Sequence, residues 1–296
     1  MKKIVSIDIG GTAIKYALID ENGNIIVKNK IDTEAYKGGK VVLEKTINIV
    51  KEFQNTEEIN GVSISTAGIV DAEKGEILYL STIPDYNGIN FKKAFRDKLN
   101  LPCVVENDAN CAALAEYVSG ASKKSKVALM ITIGTGIGGS IIIDGNIFHG
   151  FSNSAGEVSY MKILGENFQD SCSTRILIKN VAETKKEPIE NWDGIKIFNE
   201  AKKGDKICSE AISKMVDILA NGIANICCVV NPEVVVLGGG IAEQEDYLKE
   251  KFETALNKYL VPAILEHTTL KFAYYKNDAG ILGAFYNFCK CNEIEF

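Results

Sequence analysis

Short apolar runs rich in Val and Ile alternate with longer amphipathic stretches along almost the whole chain. That alternation is the pattern of an α/β protein whose strands and helices are interleaved. The first run opens at Ile4, breaks at Gly10-Gly11-Thr12, resumes to Asp20 and turns at Asn22-Gly23, which predicts a hairpin of two strands joined by a glycine turn. Helical spacing over 39–54 places Val41, Val42, Ile47, Ile49, Val50 and Phe53 as the apolar positions. Strands are predicted at 61–65 and 75–80, a short helix at 91–99, a strand at 102–105 leading into Glu106-Asn107-Asp108-Ala109-Asn110, and an Ala-rich helix at 111–118. A second hairpin follows at 127–148, then a polar, irregular region over 150–180 with helices behind it. A long apolar helix at 209–229 is stopped by Asn231-Pro232, and a strand at 233–237 ends in Gly238-Gly239-Gly240. The last helix, at about 280–291, is apolar enough to need a core and is expected to pack back on the first domain.

The two hairpins are related. Residues 4–20 recur in altered form at 128–144 with a constant offset of 124, so that Gly10 falls on Gly134, Thr12 on Gly136 and Asp20 on Asp144. One glycine turn alone is a weak signal; a duplicated one can set two groups of backbone N–H donors against one polyphosphate. In the first copy, Asp8 stands at a strand end beside Gly10, Gly11 and Thr12, with Lys15 on the return strand. A carboxylate so placed can hold Mg²⁺ through water while the hydroxyl and amides take phosphate oxygens. The second copy, Gly134-Thr135-Gly136-Ile137-Gly138-Gly139, has Thr132 in the place of Asp8, and its glycines allow backbone to approach a ligand closely. Gly238-Gly239-Gly240 is a third such place, suited to a nucleotide's sugar or base plane.

Two further segments carry candidate chemistry. Asn107-Asp108 lies between a strand and a helix, where Asp108 is either an N-cap or a general base kept ionised by the helix N-terminus. Glu157, in Ala155-Gly156-Glu157, follows a polar loop and can accept hydrogen bonds from vicinal sugar hydroxyls, or can be a solvated surface residue.

Composition narrows the class without choosing the chemistry. With 296 residues, 46% hydrophobic and 24% charged, the chain has the balance of a soluble globular protein of two ordinary domains. A net charge of −6 and the lack of any Lys/Arg stripe argue against nucleic acid as a partner. Asp8 interrupts the N-terminal apolar stretch, and no apolar run approaches the roughly 18 residues that span a bilayer, so no membrane partner and a cytoplasmic location are expected. The eight cysteines form no CxxC pair and are expected to be mostly buried small hydrophobes; Cys289-x-Cys291 has no His partner with which to hold a metal.

Together these segments resemble the ROK family of sugar kinases over nearly the whole chain. Asp8–Thr12 is similar to the family's first phosphate motif, 106–110 to its catalytic segment, 133–139 to its second phosphate motif, Gly156-Glu157 to its sugar-contacting pair, and Asn231-Pro232 through Gly240 to its adenosine strand and turn. The resemblance implies an α/β, two-domain actin/Hsp70/sugar-kinase (ribonuclease H-like) fold with duplicated β-hairpin phosphate motifs. It implies a first domain of 1–118 plus 281–296 and a larger second domain of 119–280, with the active site in the cleft between them and closure on the substrate. ATP and Mg²⁺ are the implied cofactors, with Asp8, Gly10, Gly11, Thr12, Lys15, Thr132, Gly134, Thr135, Gly136, Gly238, Gly239 and Gly240 on the nucleotide side. Asp108 becomes the base that takes the proton of a sugar 6-hydroxyl, and Gly68, Thr82, Asn107, Gly136 and Glu157 the sugar contacts. A homodimer is also implied.

One family feature is missing. Zinc-containing members carry Gly-Glu-x-Gly-His and a CxCGxxGCxE segment. Here Tyr160 stands at the His position, Asp170, Cys172 and Leu177 at the three Cys positions, and Lys179 at the Glu. One thiol cannot build a tetrahedral site, so no structural zinc is expected, and Tyr160 is expected to offer its hydroxyl to the sugar in place of the imidazole. Among zinc-free relatives, 63–68, 71–77 and 81–91 most resemble N-acetylmannosamine kinases, whereas 107–116 and 276–288 resemble β-glucoside kinases and glucokinases equally. N-acetylmannosamine is the expected acceptor, with glucose or a β-glucoside as alternative. A ROK-type regulator would carry a helix-turn-helix before the first phosphate motif; with Asp8 so near the start of the sequence, that alternative is not the expected one.

Overall fold

The computed structural model describes residues 2–294. In chain order the elements are β1 (Lys3–Ile9), β2 (Ala13–Asp20), β3 (Ile25–Asp32), α1 (Gly39–Gln54), β4 (Gly61–Thr66), β5 (Ile69–Asp71), β6 (Glu76–Tyr79), α2 (Phe91–Leu99), β7 (Cys103–Asn107) and α3 (Asp108–Ser119). There follow β8 (Val127–Ile133), β9 (Ile137–Ile143), β10 (Asn146–Ile147), β11 (Lys162–Ile163), β12 (Glu166–Asn167), α4 (Phe168–Cys172), α5 (Thr174–Lys185), α6 (Gly194–Lys202) and α7 (Lys206–Val230). The series closes with β13 (Val234–Gly238), α8 (Glu245–Tyr259), α9 (Pro262–Leu265), β14 (Thr269–Phe272) and α10 (Ala279–Cys291).

The duplication read in the hairpins extends to whole sheets. One sheet has the order β3-β2-β1-β4-β7 and the other β10-β9-β8-β13-β14. In each, an antiparallel hairpin (β1/β2 or β8/β9) is followed by two parallel neighbours, and the glycine turn sits at the same place in both. The central strands are buried on both faces, which is why Ile4–Ile9 and Val234–Gly238 read as near-continuous apolar runs rather than alternating ones. Asp144 and Gly145 both take positive φ, at 47° and 77°, as a tight two-residue hairpin turn demands.

The chain divides into two compact units, 1–119 with 147–155 and 277–296, and 120–146 with 156–276. The expected divisions after 118 and 280 thus fall after 119 and 276, and the excursion 147–155 is a feature that the sequence pattern did not signal. In the first unit, α10 packs on α3 and across β1, β4 and β7. Gly283 leaves no space for a Cβ against the Cys111 carbonyl of α3, so the two helices meet backbone to backbone. Beneath α10, Ser6 Oγ donates to the Ile281 carbonyl at 2.6 Å and Ser63 Oγ to the Ala284 carbonyl. These two serines are paired in register across β1 and β4, and the helix carbonyls give their buried hydroxyls the partners they need.

In the second unit, α7 is the spine against which α4, α5, α6 and α8 pack. It is one helix long and apolar enough to cross a membrane by length and composition, although no uninterrupted apolar run marks it in the sequence; most of it is buried in the unit's core. The region over 150–180, expected to be irregular, contains α4 and most of α5. Cys228 and Cys291 are exposed and the other cysteines are buried, with Cys289 and Cys291 differing in this although two residues apart.

Candidate active site

In the first unit the turn between β1 and β2 is held by residues on both sides of it. Gly10 N–H donates to the Ala13 carbonyl at 3.1 Å, and Thr33, buried beyond the end of β3, donates its hydroxyl to the Gly10 carbonyl at 2.6 Å. Thr33 N–H donates to the Thr12 carbonyl at 2.9 Å, so this residue clamps both ends of the turn. A Cβ built on Gly11 would meet nothing within 4 Å, which leaves that face of the turn open to a ligand. Asp8 faces Lys15 across the hairpin and accepts from Ser65 Oγ at 2.7 Å. Gly280, in the first turn of α10, lies so close that a Cβ there would sit 2.6 Å from Asp8 Oδ1. Desolvation raises the Asp8 carboxyl above its ordinary value, against the opposing pull of Ser65 and Lys15.

Asp108 begins α3 directly after β7, three residues before the predicted helix start. The capping role belongs to Asn107, not to Asp108. Asn107 Oδ1 accepts from Ala109 N–H at 2.9 Å and from Asn110 N–H at 3.1 Å, while its Nδ2 donates to the Gly68 carbonyl at 2.9 Å. Gly68 takes φ 102° and has the Tyr79 carbonyl 2.7 Å from where a Cβ would be, so only glycine fits there. Relieved of capping, Asp108 keeps an accessible carboxylate, with Oδ1 accepting from Ala109 N–H at 2.9 Å. Protein surrounds it at longer range, and that desolvation, with the charge of Asp8 second, pushes its carboxyl up to about 6. The helix N-terminus does not lower it as the sequence suggested, because burial of the surroundings outweighs the nearby amides. Thr82 is exposed in the loop after β6, which is anchored by Tyr86, whose hydroxyl lies 2.7 Å from Thr66 Oγ1.

In the second unit the matching turn is closed by Gly134 N–H donating to the Gly136 carbonyl at 2.9 Å, and Thr174 N–H, at the start of α5, donates to the Gly134 carbonyl at 2.9 Å. Gly134 and Gly240 each have open space where a Cβ would stand, while Gly136 faces Gln169, whose Oε1 would lie 2.9 Å from one. Thr132 is half-buried at the end of β8 and Thr135 is exposed at the tip of the turn. Gly239, at φ 78°, lies against the Ile133 backbone, which brings the turn after β13 onto the end of β8. It leads into a short 3-10 turn, Gly240–Gln244, before α8. Gly139 of β9 and Gly156 abut so closely that a Cβ on Gly139 would come 2.6 Å from the Gly156 carbonyl. This contact seats the turn carrying Glu157, which is half-buried, and Tyr160, which is 50% exposed.

The positions that bind zinc in some relatives are otherwise engaged. Asp170 accepts from Asn167 Nδ2 at 2.9 Å and from Arg175 at 2.8 Å. Cys172 is buried and directs its thiol to the Phe168 carbonyl at 3.3 Å, Leu177 is core, and Lys179 is exposed beside Glu183. This donor set does not fit a tetrahedral zinc.

The paired sheets and their glycine turns define the class: a mixed α/β protein of the actin/Hsp70/sugar-kinase fold. Residues 4–290 match the ROK family, and the chain belongs to it. It is 29% identical to a β-glucoside kinase of Listeria monocytogenes, with 97% of each chain covered. It is 28% identical to a glucokinase of Halalkalibacterium halodurans, over 94% of this chain and 92% of that one. Among solved structures, a Listeria monocytogenes protein with the provisional description of N-acetylmannosamine kinase superposes with a TM-score of 0.88 at 28% identity, covering 98% and 99% of the two chains. These kinships support a carbohydrate kinase.

Proposed function

We propose that the protein transfers the γ-phosphoryl group of ATP to the 6-hydroxyl of N-acetylmannosamine, with Asp108 as general base. The observation that carries this reading is Asp108 itself: an accessible carboxylate at a helix start, oriented by the Asn107 clasp, with a pKa near 6. A base of that strength is ionised at neutral pH and still takes a proton as the acceptor hydroxyl becomes acidic in the transition state. The proton of the sugar 6-hydroxyl passes to the Asp108 carboxylate, the sugar oxygen bonds to the γ-phosphorus, and the bond to the ADP oxygen breaks.

Gly11 in the first unit, and Gly134 and Gly240 in the second, each leave an open face to which backbone can bring a nucleotide close. In this reading Gly10, Gly11, Thr12, Lys15, Thr132, Gly134, Thr135 and Gly136 receive its phosphates, and Gly238, Gly239 and Gly240 its adenosine part. The desolvated carboxylate of Asp8, near enough to raise Asp108, fits a cation's second shell. Asp8 would hold Mg²⁺ through water, and the ion would neutralise charge on the phosphates. Gly68, Thr82, Asn107, Gly136, Glu157 and Tyr160 are assigned to the sugar, and no zinc is part of the proposal. Ala67 and Ile69 supply apolar surface suited to an N-acetyl methyl group. The similar identities to a glucokinase and a β-glucoside kinase favour glucose or a β-glucoside as the second reading. A cytoplasmic homodimer is the assembly and location we assign to it. An ADP-release assay across N-acetylmannosamine, N-acetylglucosamine, glucose, fructose and cellobiose tests the reading. The highest kcat/KM on N-acetylmannosamine is expected; turnover of none of them would overturn the kinase, and a preference for glucose or cellobiose the acceptor.

A further inference from the structure

Glu106 is almost completely buried, at 1% exposure, and a carboxylate so placed must be surrounded by donors. Its Oε1 accepts from Asn107 N–H and from Asn110 Nδ2, both at 2.8 Å. Those bonds close within the strand-to-helix turn that presents Asp108. Its other oxygen, Oε2, lies 2.7 Å from His149 Nε2, which comes from a distant part of the chain. His149 sits in the excursion 147–155, which leaves the second unit after Asn146, joins the first, and returns at Gly156 immediately before Glu157. The excursion is short and self-closed, with Ala155 N–H donating to the His149 carbonyl at 3.1 Å and Gly150 and Asn153 at positive φ.

We propose that His149 is a positioning residue: through Glu106 it fixes the start of α3, and hence Asp108. The proposal rests on the kinase reading above. Three of the side chains concerned form one chain of contacts, His149 to Glu106, Glu106 to Asn110, with Asn107 bonding Glu106 through its own amide and capping the same helix through Oδ1. Loss of the imidazole leaves a buried carboxylate with neutral donors only. It must then recruit water or turn, and either response drags on Asn107 and Asn110. The charged groups acting on the imidazole are Glu106 of β7 and Lys290 of α10; the Glu106 hydrogen bond raises its pKa, and partial burial and Lys290 oppose that.

The chain has two histidines, so the imidazole NMR spectrum contains two residues' signals, and a His267→Gln variant assigns them. His149 is expected to titrate above the ordinary value of about 6.5 and to return toward it in Glu106→Gln. In the ADP-release assay, with whichever of N-acetylmannosamine, glucose or cellobiose the wild type turns over fastest, His149→Ala is expected to lose about tenfold or more in kcat while both KM values move less than about threefold. His149→Gln, whose amide Nε2 can replace the imidazole donor, recovers most of that loss. Amide hydrogen exchange at Ala109 and Asn110 is expected to be faster in the Ala variant and not in the Gln variant. An Ala variant that is folded, with unchanged kcat and unchanged exchange, would overturn the proposal, as would an unperturbed His149 titration. If the wild type phosphorylates none of the three sugars, the kinase reading fails, and exchange at 109 and 110 alone decides whether His149 fixes the helix start.

Discussion

Asn107 joins Gly68 to the first turn of α3: its amide nitrogen donates to the Gly68 carbonyl at 2.9 Å while its amide oxygen caps the helix. One planar group therefore sets both the loop after β4 and the direction in which Asp108 points. Asn107→Asp keeps the capping oxygen but loses the donor to Gly68, whereas Asn107→Ala loses both. The Ala variant is expected to be about 1 kcal/mol less stable than the Asp variant by thermal unfolding, and both are expected to have reduced kcat/KM in the ADP-release assay.

Asp108→Asn separates binding from transfer. ATP and sugar affinity, measured calorimetrically, are expected to stay near those of the wild type. Phosphoryl transfer is expected to fall by about 10²–10⁴. Near-normal turnover would remove Asp108 from its proposed role.

The raised carboxyl of Asp108 sets a pH dependence of both activity and stability. Its folded pKa of about 6 lies above the model-compound value of 3.8, so folding favours the protonated form. Its unfavourable contribution is thus fully present above about pH 6 and is relieved as pH falls toward the unfolded value. The Asn variant is expected to unfold at a slightly higher temperature than the wild type at pH 8, an advantage of about 1 kcal/mol or less because solvent reaches the carboxylate, and to lose that advantage by pH 4. In the wild type the activity changes in the opposite sense, with kcat/KM falling below about pH 6 as the base is protonated.

Gly139 and Gly156 form a backbone contact that admits no side chain. Gly139→Ala is expected to push the Glu157 turn off β9, raising the sugar KM more than the ATP KM. Steady-state kinetics varying each substrate in turn measure the difference. An equal rise in both would place the damage outside the sugar side.

Elemental analysis of the purified protein is expected to find no stoichiometric zinc, and a chelator is expected to leave the unfolding temperature unchanged. Arg175→Ala removes one of the two donors to Asp170. It is expected to cost about 1 kcal/mol or less, as befits an exposed pair. One zinc per chain would overturn the metal reading.

Much of this was legible from the order of residues. Gly10–Thr12 and 134–139 declared themselves by position after β-branched runs, and the repeat between them predicted a relation that the two sheets extend to five strands each. The long-range polar partners were not legible. Thr33, Ser6, Ser63 and His149 are separated in sequence from the groups they hold, and nothing in a lone Thr, Ser or His signals such a role. Asp108 was singled out as a candidate, yet the upward shift of its carboxyl was not legible, because desolvation is a property of packing and not of helix position. The predicted helix start at 111 missed Asp108–Asn110 because Asp and Asn are poor helix-interior residues whose local bonding favours caps.

The placement of α10 has a consequence for biosynthesis. Its residues follow every strand of the second sheet, yet it covers β1, β4 and β7 and supplies the carbonyls that receive Ser6 and Ser63. During translation, the unit begun first is therefore the last to be sealed. Its apolar sheet face and two unpaired hydroxyls wait on the ribosome until about 280 residues have emerged, while the second unit has all its own elements. A nascent chain whose emerged part ends just before α10 has every element of the second unit and an open first unit, a natural substrate for chaperones.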